Sequence, residues 1–427
     1  MHRPVSANTI EPSPTLAWHT PAVVLLCGCL IAIISFGPRS ALGFFLTPIS
    51  ADNGWGREVF ALSVAMQTLL YGAAQPFSGA LADRFGTIKV IILGAMLYAA
   101  GIFMMAYAST PATLYLSSGV LIGFGLSGCS FNLVISSFGK LLPESWRSFS
   151  FGLGTASGSF GQFLFSPLGV HLIETVGWRA ALQMFAGLLL LIIPLAFAVA
   201  TPRSDAAARA GMAAPPSGQV QNYKQALAEA FGHRSYILLV LGFFTCSFQL
   251  GFVTVHLPSY LADRGLSAEV GGWTLGVIGL FNIVGSIMSG WLGGRLPKRY
   301  ILSFIYFARA ATVVFLITMP PGPVVTLIYG ALTGLLWLSS VPPTSGLVAL
   351  MFGTRWLAML FGIAFFSHQV GGFLGVYLGG LLFARTGSYD IVWWLGVAFG
   401  VISAIINLPI VEKPVVRPAA AVQRGVI

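Results

Sequence analysis

The chain is predicted to fold as an all-α membrane protein, with twelve transmembrane helices arranged as two pseudo-symmetric six-helix bundles. Three observations predict this. The chain is 56% hydrophobic and only 8% charged, against about 25% charged residues in soluble domains, so no water-facing surface can be assembled from it. Apolar runs long enough to cross a bilayer core, which takes about 20 residues, recur along it between short polar breaks. The second half of the chain also echoes the first. The runs are far longer than the strands of a membrane barrel, and backbone groups in lipid must be satisfied internally, so helices are required.

Taken in order, the spans fall at roughly 21 to 48, 58 to 80, 88 to 108, 111 to 138, 148 to 173 and 179 to 201. The second set lies at roughly 235 to 260, 270 to 292, 299 to 319, 322 to 345, 356 to 383 and 389 to 411. Residues 1–20 and 412–427 are read as cytoplasmic tails, 21–201 and 235–411 as the two bundles, and 202–234 as a cytoplasmic linker. The linker opens with Pro202, Pro215 and Pro216 among alanines and ends in NYKQALAEAFGHRSY, which can form a short surface helix. The first 20 residues lack the charged-then-apolar pattern of a cleaved signal, so span one is expected to stay in place. Of the 22 Lys and Arg, two lie inside spans. With both termini in the cytoplasm only Arg57, Arg179, Arg264 and Arg385 face outward, leaving 16 inside. That is the positive-inside asymmetry expected of a plasma (inner) membrane protein. It accounts for the net charge of +10 without a nucleic-acid partner.

The internal echo is specific. Gly79-Ala-Leu-Ala-Asp83-Arg84-Phe-Gly86 aligns with Gly290-Trp-Leu-Gly-Gly294-Arg295-Leu-Pro297 at an offset of 211, at which Gly119 and Gly123 also meet Gly330 and Gly334. At 210, Gly152, Gly161, Phe163 and Gly177 meet Gly362, Gly371, Phe373 and Gly387. Such an ordered series implies parallel repeats with a substrate path between them.

GALADRFGTIK, Gly79 to Lys89, resembles the loop signature of the major facilitator superfamily, and with the twelve spans, the central linker and the degenerate second copy the resemblance covers nearly the whole chain. It implies the major facilitator fold, rocker-switch alternating access, and a latch built from Gly79, Asp83, Arg84, Gly86 and Lys89. Arg295 answers from the second copy, where Gly294 replaces the acid and makes any charge relay one-sided. A plain basic turn that only sets topology is the competing reading. GPRSALGFF, GWGREVFALS, SGSFGQFLFSPL, GWRAAL and FSHQVGGFLG further resemble the monocarboxylate and oxalate-formate porter branch. That branch places an arginine in span eight, where this chain has no arginine and Asn282 is the most polar residue.

Arg39 and Arg309 are the only charged residues well inside spans, and no Asp or Glu joins them. An arginine at the centre of a membrane helix costs roughly 2.5 to 3.5 kcal/mol on insertion scales, so an anionic substrate is expected to supply the counter-charge. Pro38 and Gly37 kink the helix beside Arg39, as at transporter binding sites. A guanidinium grips a carboxylate through two parallel hydrogen bonds. Two alternatives stand: Arg39 snorkels to the outer headgroups, or Arg309 is a structural tie to helix carbonyls.

Gln67, Tyr71 and Gln75 recur every four residues on one face of span two and are placed beside Arg39, with interhelical packing as the alternative. Asn132, Gln162 and Gln249 are isolated amides that can simply bridge helices. His368 is the available proton carrier or substrate contact in span eleven, and His256, before Pro258, is expected to cap the exit of its helix. The binding set is thus Arg39, Arg309, Tyr71, Gln67, Asn282 and His368.

No Cys/His spacing suggests a metal, no phosphate-binding loop suggests ATP hydrolysis, and no nucleophile-base set suggests an enzyme. The reading is a monomeric secondary carrier of small organic anions, mono- or dicarboxylates, working by proton symport or anion exchange without a cofactor. Efflux of drugs or hydrophobic metabolites, suggested by 33 Phe and 10 Trp, is the runner-up. A transporter-like sensor is more distant.

Overall fold

The computed structural model describes residues 20–201, 223–353 and 356–415; the side chains of Asp83 and Asn132 lie outside the described set, as does most of the linker. The described chain is helical throughout. The first six spans are α1 (Pro21–Asn53), α2 (Arg57–Phe85), α3 (Thr87–Met105), α4 (Pro111–Phe138), α5 (Glu144–Val176) and α6 (Trp178–Val199). A short helix, Tyr223–Gly232, then leads into α7 (Arg234–Asp263), α8 (Ala268–Gly293), α9 (Lys298–Thr318), α10 (Pro323–Phe352), α11 (Leu357–Thr386) and α12 (Asp390–Asn407). Ten of these twelve meet the length and apolarity expected of a membrane span. The other two, α2 and α5, are as long but more polar, and both lie where the two halves meet.

Helix ends follow local chemistry. Thr20 caps α1 by accepting the Val23 amide at 3.4 Å, with Pro21 in the first turn. The chain then runs on through a 3₁₀ turn at Leu42–Phe45, just past Pro38, and stops only at Gly54, which takes φ +66°. Span one therefore extends to Asn53 rather than residue 48, and Arg39 sits near the middle of a 33-residue helix.

The repeat is visible as identical packing in the two halves. Side chains at Gly119 and Gly123 would meet Ser63 and Gln67 of α2; at Gly330 and Gly334 they would meet Thr274 and Ile278 of α8, the same register 211 residues on. Gly161 lies against the Ile33 carbonyl of α1, and Gly371 against the Phe244 carbonyl of α7. Lipid is as apolar as a leucine side chain, so close backbone approach at small residues is what holds such helices together.

Between the halves, α2 packs on α11 and α5 on α8. Cross-half hydrogen bonds run from Gln369 Nε2 to the Thr68 carbonyl (3.1 Å), from Gln162 Nε2 to the Leu275 carbonyl (3.1 Å) and from Asn282 Nδ2 to Ser159 Oγ (2.8 Å). At one end Arg57 donates twice to Asp263 (2.6 and 2.7 Å) and once to Tyr389 (3.0 Å), and Thr47 meets Ser259 at 3.2 Å. At the opposite, Gly79 end, Phe77 and Ile287 are 68% and 66% exposed. A Cβ at Gly79, Gly152 or Gly362 would have nothing within 4 Å. Among the described residues, the halves are fastened at the Arg57 end and the centre and parted at the Gly79 end.

Candidate functional site

The two buried arginines have different surroundings. Arg39 of α1 is half-buried, forms no ion pair among the described residues, and lies within hydrogen-bond reach of the Tyr71 hydroxyl. Its guanidinium carbon lies 4.7 Å from the centre of the Tyr71 ring and 5.9 Å from that of Phe36. Stacking on a ring face contributes about 0.5 to 2 kcal/mol and leaves the in-plane N–H donors not engaged by Tyr71 available. The side chain thus turns inward to α2 and does not reach for headgroups.

Tyr71, buried and in hydrogen-bond reach of Gln75, meets Phe365 of α11 edge-on at 6.4 Å, and Phe365 stacks on His368 at 5.5 Å with 10° between the ring planes. His368 Nδ1 pairs with Gln369 Oε1 at 3.0 Å, and Gln369 in turn holds α2 through Thr68. A ladder of Arg39, Tyr71, Phe365 and His368 therefore crosses from one half to the other at mid-depth. Beside Thr68, the fully buried Gln67 has neither amide atom paired, and His368 Nε2 is also unpaired. Buried polar atoms without partners are expensive, about 1 to 3 kcal/mol each, so these mark a place where polar groups are held ready.

Arg309 of α9 is spoken for. Helix α10 is broken between Leu336 and Val341, which leaves the last carbonyls of its first segment without intrahelical donors. Arg309 Nε donates to the Leu336 carbonyl at 3.0 Å, and Nη2 donates to the carbonyls of Leu336 and Trp337. A cation at a helix C-terminus also opposes the helix dipole. Asn282, predicted as a substrate ligand, is committed to the same break. Its Oδ1 accepts the Leu338 amide at 3.0 Å and the Ser286 hydroxyl at 3.1 Å, while Nδ2 holds Ser159. Cys246 of α7 completes the surroundings: it receives the Ser340 hydroxyl at 3.3 Å, lies within hydrogen-bond reach of His368 and within electrostatic reach of Arg309. Of the six predicted binding residues, Arg39, Tyr71 and His368 are joined through the ladder, Gln67 stands beside it, and Arg309 and Asn282 are engaged in stitching α10.

Of the latch residues, Gly86 ends α2 with φ +89°, a conformation that suits glycine. Arg84 lies over Phe85 at 5.2 Å, Arg295 stacks on Trp291 at 3.6 Å, and Lys89 is exposed. They stand at the parted end. The Asp83 side chain lies outside the described residues.

Sequence reasoning missed the fastening at the other end. Arg57 was assigned to topology alone, yet it grips Asp263 with both amino groups, bonds Tyr389 and lies 4.0 Å over the Phe383 ring. The motif GWGREVFALS was the available signal for Arg57; nothing local marks Asp263. His256 does not cap an exit. It is fully buried within α7, bonded to the Val376 carbonyl at 2.8 Å and near Tyr389 at 3.3 Å.

The sequence profile of the Major Facilitator Superfamily matches residues 28–376. The chain is 28% identical to "Uncharacterized MFS-type transporter YcxA" of Bacillus subtilis (strain 168), over 95% of this chain and 98% of that protein. It is 24% identical to "Monocarboxylate transporter 13" of Bos taurus, over 88% and 86%. Among solved structures, a bacterial homologue of the human lysosomal transporter Spinster, inward-facing and unoccupied, superposes with a TM-score of 0.71 at 16% identity, over 92% of this chain and 97% of that one. A D-xylose-proton symporter superposes with 0.68 at 16% identity, over 93% and 99%. At that identity the structures speak for the fold. With twelve long helices in two repeated halves among the described residues, a multi-pass membrane transporter and not an enzyme, this chain belongs to the major facilitator superfamily.

Proposed function

We propose that the protein is a secondary carrier of small organic anions, mono- or dicarboxylates, with Arg39 as the residue that grips the substrate carboxylate. One observation carries this reading: the guanidinium near the middle of α1 rests on Tyr71 and is not spent on backbone carbonyls, whereas the other buried arginine gives its Nε and Nη2 to the carbonyls at the break in α10. Tyr71 orients Arg39 from behind, Gln67 and His368 offer polar atoms to the rest of the substrate, and Arg309 adds positive potential from a distance. The likeness to a monocarboxylate transporter supports the substrate class.

With both termini in the cytoplasm of the plasma (inner) membrane, the parted Gly79 end faces inward and the Arg57 end is the closed outer gate. Bound carboxylate neutralises Arg39, which lowers the penalty of carrying the charge through the low-dielectric occluded state. An exchanger needs nothing more. A symporter also needs a proton site, and His368, with Nε2 unpaired, fills that role.

Uptake of labelled lactate, oxalate and an aromatic cation into proteoliposomes tests the reading. Lactate or oxalate uptake that Arg39→Gln abolishes and Arg39→Lys partly restores is the expected result. Uptake of the cation alone, or organic-acid uptake indifferent to Arg39→Gln, overturns it. Proton dependence that disappears in His368→Gln identifies symport.

A further inference from the structure

Behind the Arg57 contact lies a buried histidine. His256 of α7 is fully enclosed, and its ring fits because Gly379 of α11 lacks a side chain: a Cβ there would collide with Cδ2 and Nε2. Nε2 lies 2.8 Å from the Val376 carbonyl of α11, and Nδ1 lies 3.3 Å from the hydroxyl of Tyr389, the buried residue that precedes α12. That same hydroxyl accepts from Arg57 Nη1 at 3.0 Å. Ser259, in hydrogen-bond reach of Tyr389 and 3.2 Å from Thr47, ties it to α1 as well.

The partners fix the proton positions. A carbonyl only accepts, so Nε2 carries the hydrogen and donates to Val376. A second positive charge buried one hydroxyl away from Arg57 would be repelled by it, so the ring is neutral and Nδ1 is an acceptor. The Tyr389 hydroxyl therefore gives its single proton to Nδ1 and turns its lone pairs toward Arg57 and Ser259. Without the imidazole, that proton is free to swing toward Arg57, where it opposes the guanidinium N–H. We infer that His256 is a positioning residue of the gate: through Tyr389 it holds a preformed acceptor for Arg57, and so favours the state closed at the Arg57 end. Asp263 supplies charge to this contact and Tyr389 supplies direction. His256, Val376 and Tyr389 all belong to the carboxy-terminal half, so the acceptor stays assembled when Arg57 leaves and is ready at each closure.

The inference rests on the Arg57 end being a gate and is independent of the substrate assignment. Spin labels on cysteines placed at the exposed Ala51 of α1 and Ala268 of α8 report the separation of the halves at that end in purified protein. Cys27→Ala serves as the background, since the other native cysteines are buried. Tyr389→Phe, which removes one hydroxyl and keeps the ring, is expected to raise the ratio of long to short distances about two- to tenfold, the range of one hydrogen bond. His256→Gln, which keeps a donor for Val376 but no acceptor at Nδ1, should match it and add nothing when combined with it. His256→Asn, with an acceptor near Nδ1, should restore part of the closed population. An unchanged ratio in His256→Gln, additive effects in the double variant, or loss of folding in both His256 variants would each overturn the inference and leave His256 a packing residue. Asp263→Asn separates the two levels. If it too leaves the ratio unchanged, the gate reading itself fails; if it raises the ratio while His256→Gln does not, this inference fails alone.

Discussion

Two arginines with the same cost of insertion end in opposite roles because of what each can reach. Arg309 finds the carbonyls left open where α10 breaks; Arg39 finds the ring and hydroxyl of Tyr71, which stabilise the charge without capping a helix. Substitution should therefore separate them. Arg39→Gln is expected to keep its unfolding midpoint while weakening organic-acid affinity about 10- to 150-fold, since a hydrogen bond to a charged group contributes about 1.5 to 3 kcal/mol. Flux measurements with the melting curve of the same preparation check this. Arg309→Met is expected to lose stability first, by about 1 to 3 kcal/mol for each carbonyl left unpaired, with Arg309→Lys recovering part of it. A stable Arg309→Met protein would refute the capping role. That two arginines were exceptional was legible in the sequence; which one caps a helix break was not, because the answer depends on carbonyls 27 and 28 residues further along the chain.

At the scale of helices, glycine sets distance. Gly161 and Gly371 occupy repeat-related positions in α5 and α11, each against a backbone carbonyl of the first helix of its own half. Gly152 and Gly362, also repeat-related, have open space around them. Gly161→Val and Gly371→Val are expected to destabilise by about 1 to 3 kcal/mol or more through forced backbone separation, and size-exclusion profiles should show less monodisperse protein. Gly152→Val and Gly362→Val should fold as the parent does. Equal behaviour of the two pairs would refute the packing account. Helix type and order were readable from apolar run length alone. Ends were less so, as at α1, because Pro38 disturbs a helix without terminating it when the surroundings permit a 3₁₀ turn.

Among the described residues the two halves are hydrogen-bonded at one end and open at the other, and Arg57 with Asp263 is an ion pair that joins them. The pair is partly exposed, 17% and 36%, so it is discounted to about 1 kcal/mol, near the upper end for surface pairs. That still changes the ratio of two conformations about fivefold. Asp263→Asn is expected to raise labelling of a cysteine placed at Ser259, beneath the gate, by a membrane-impermeant thiol reagent added outside. Arg57→Asp combined with Asp263→Arg should bring labelling back toward the parent level. Unchanged labelling in Asp263→Asn would show that the gate is held elsewhere.

Composition, run length and glycine spacing are properties of short stretches or of a simple period. By themselves they determined a membrane protein, its helices, its doubled architecture and the two residues that needed explaining. The tertiary structure decided the pairings: Arg57 with Asp263 across 206 residues, Gln369 with Thr68 across 301, and Arg309 with the break in α10. Hydrogen bonds and ion pairs act over a few ångströms of space. Which distant groups fall within that reach follows only once the helices have packed.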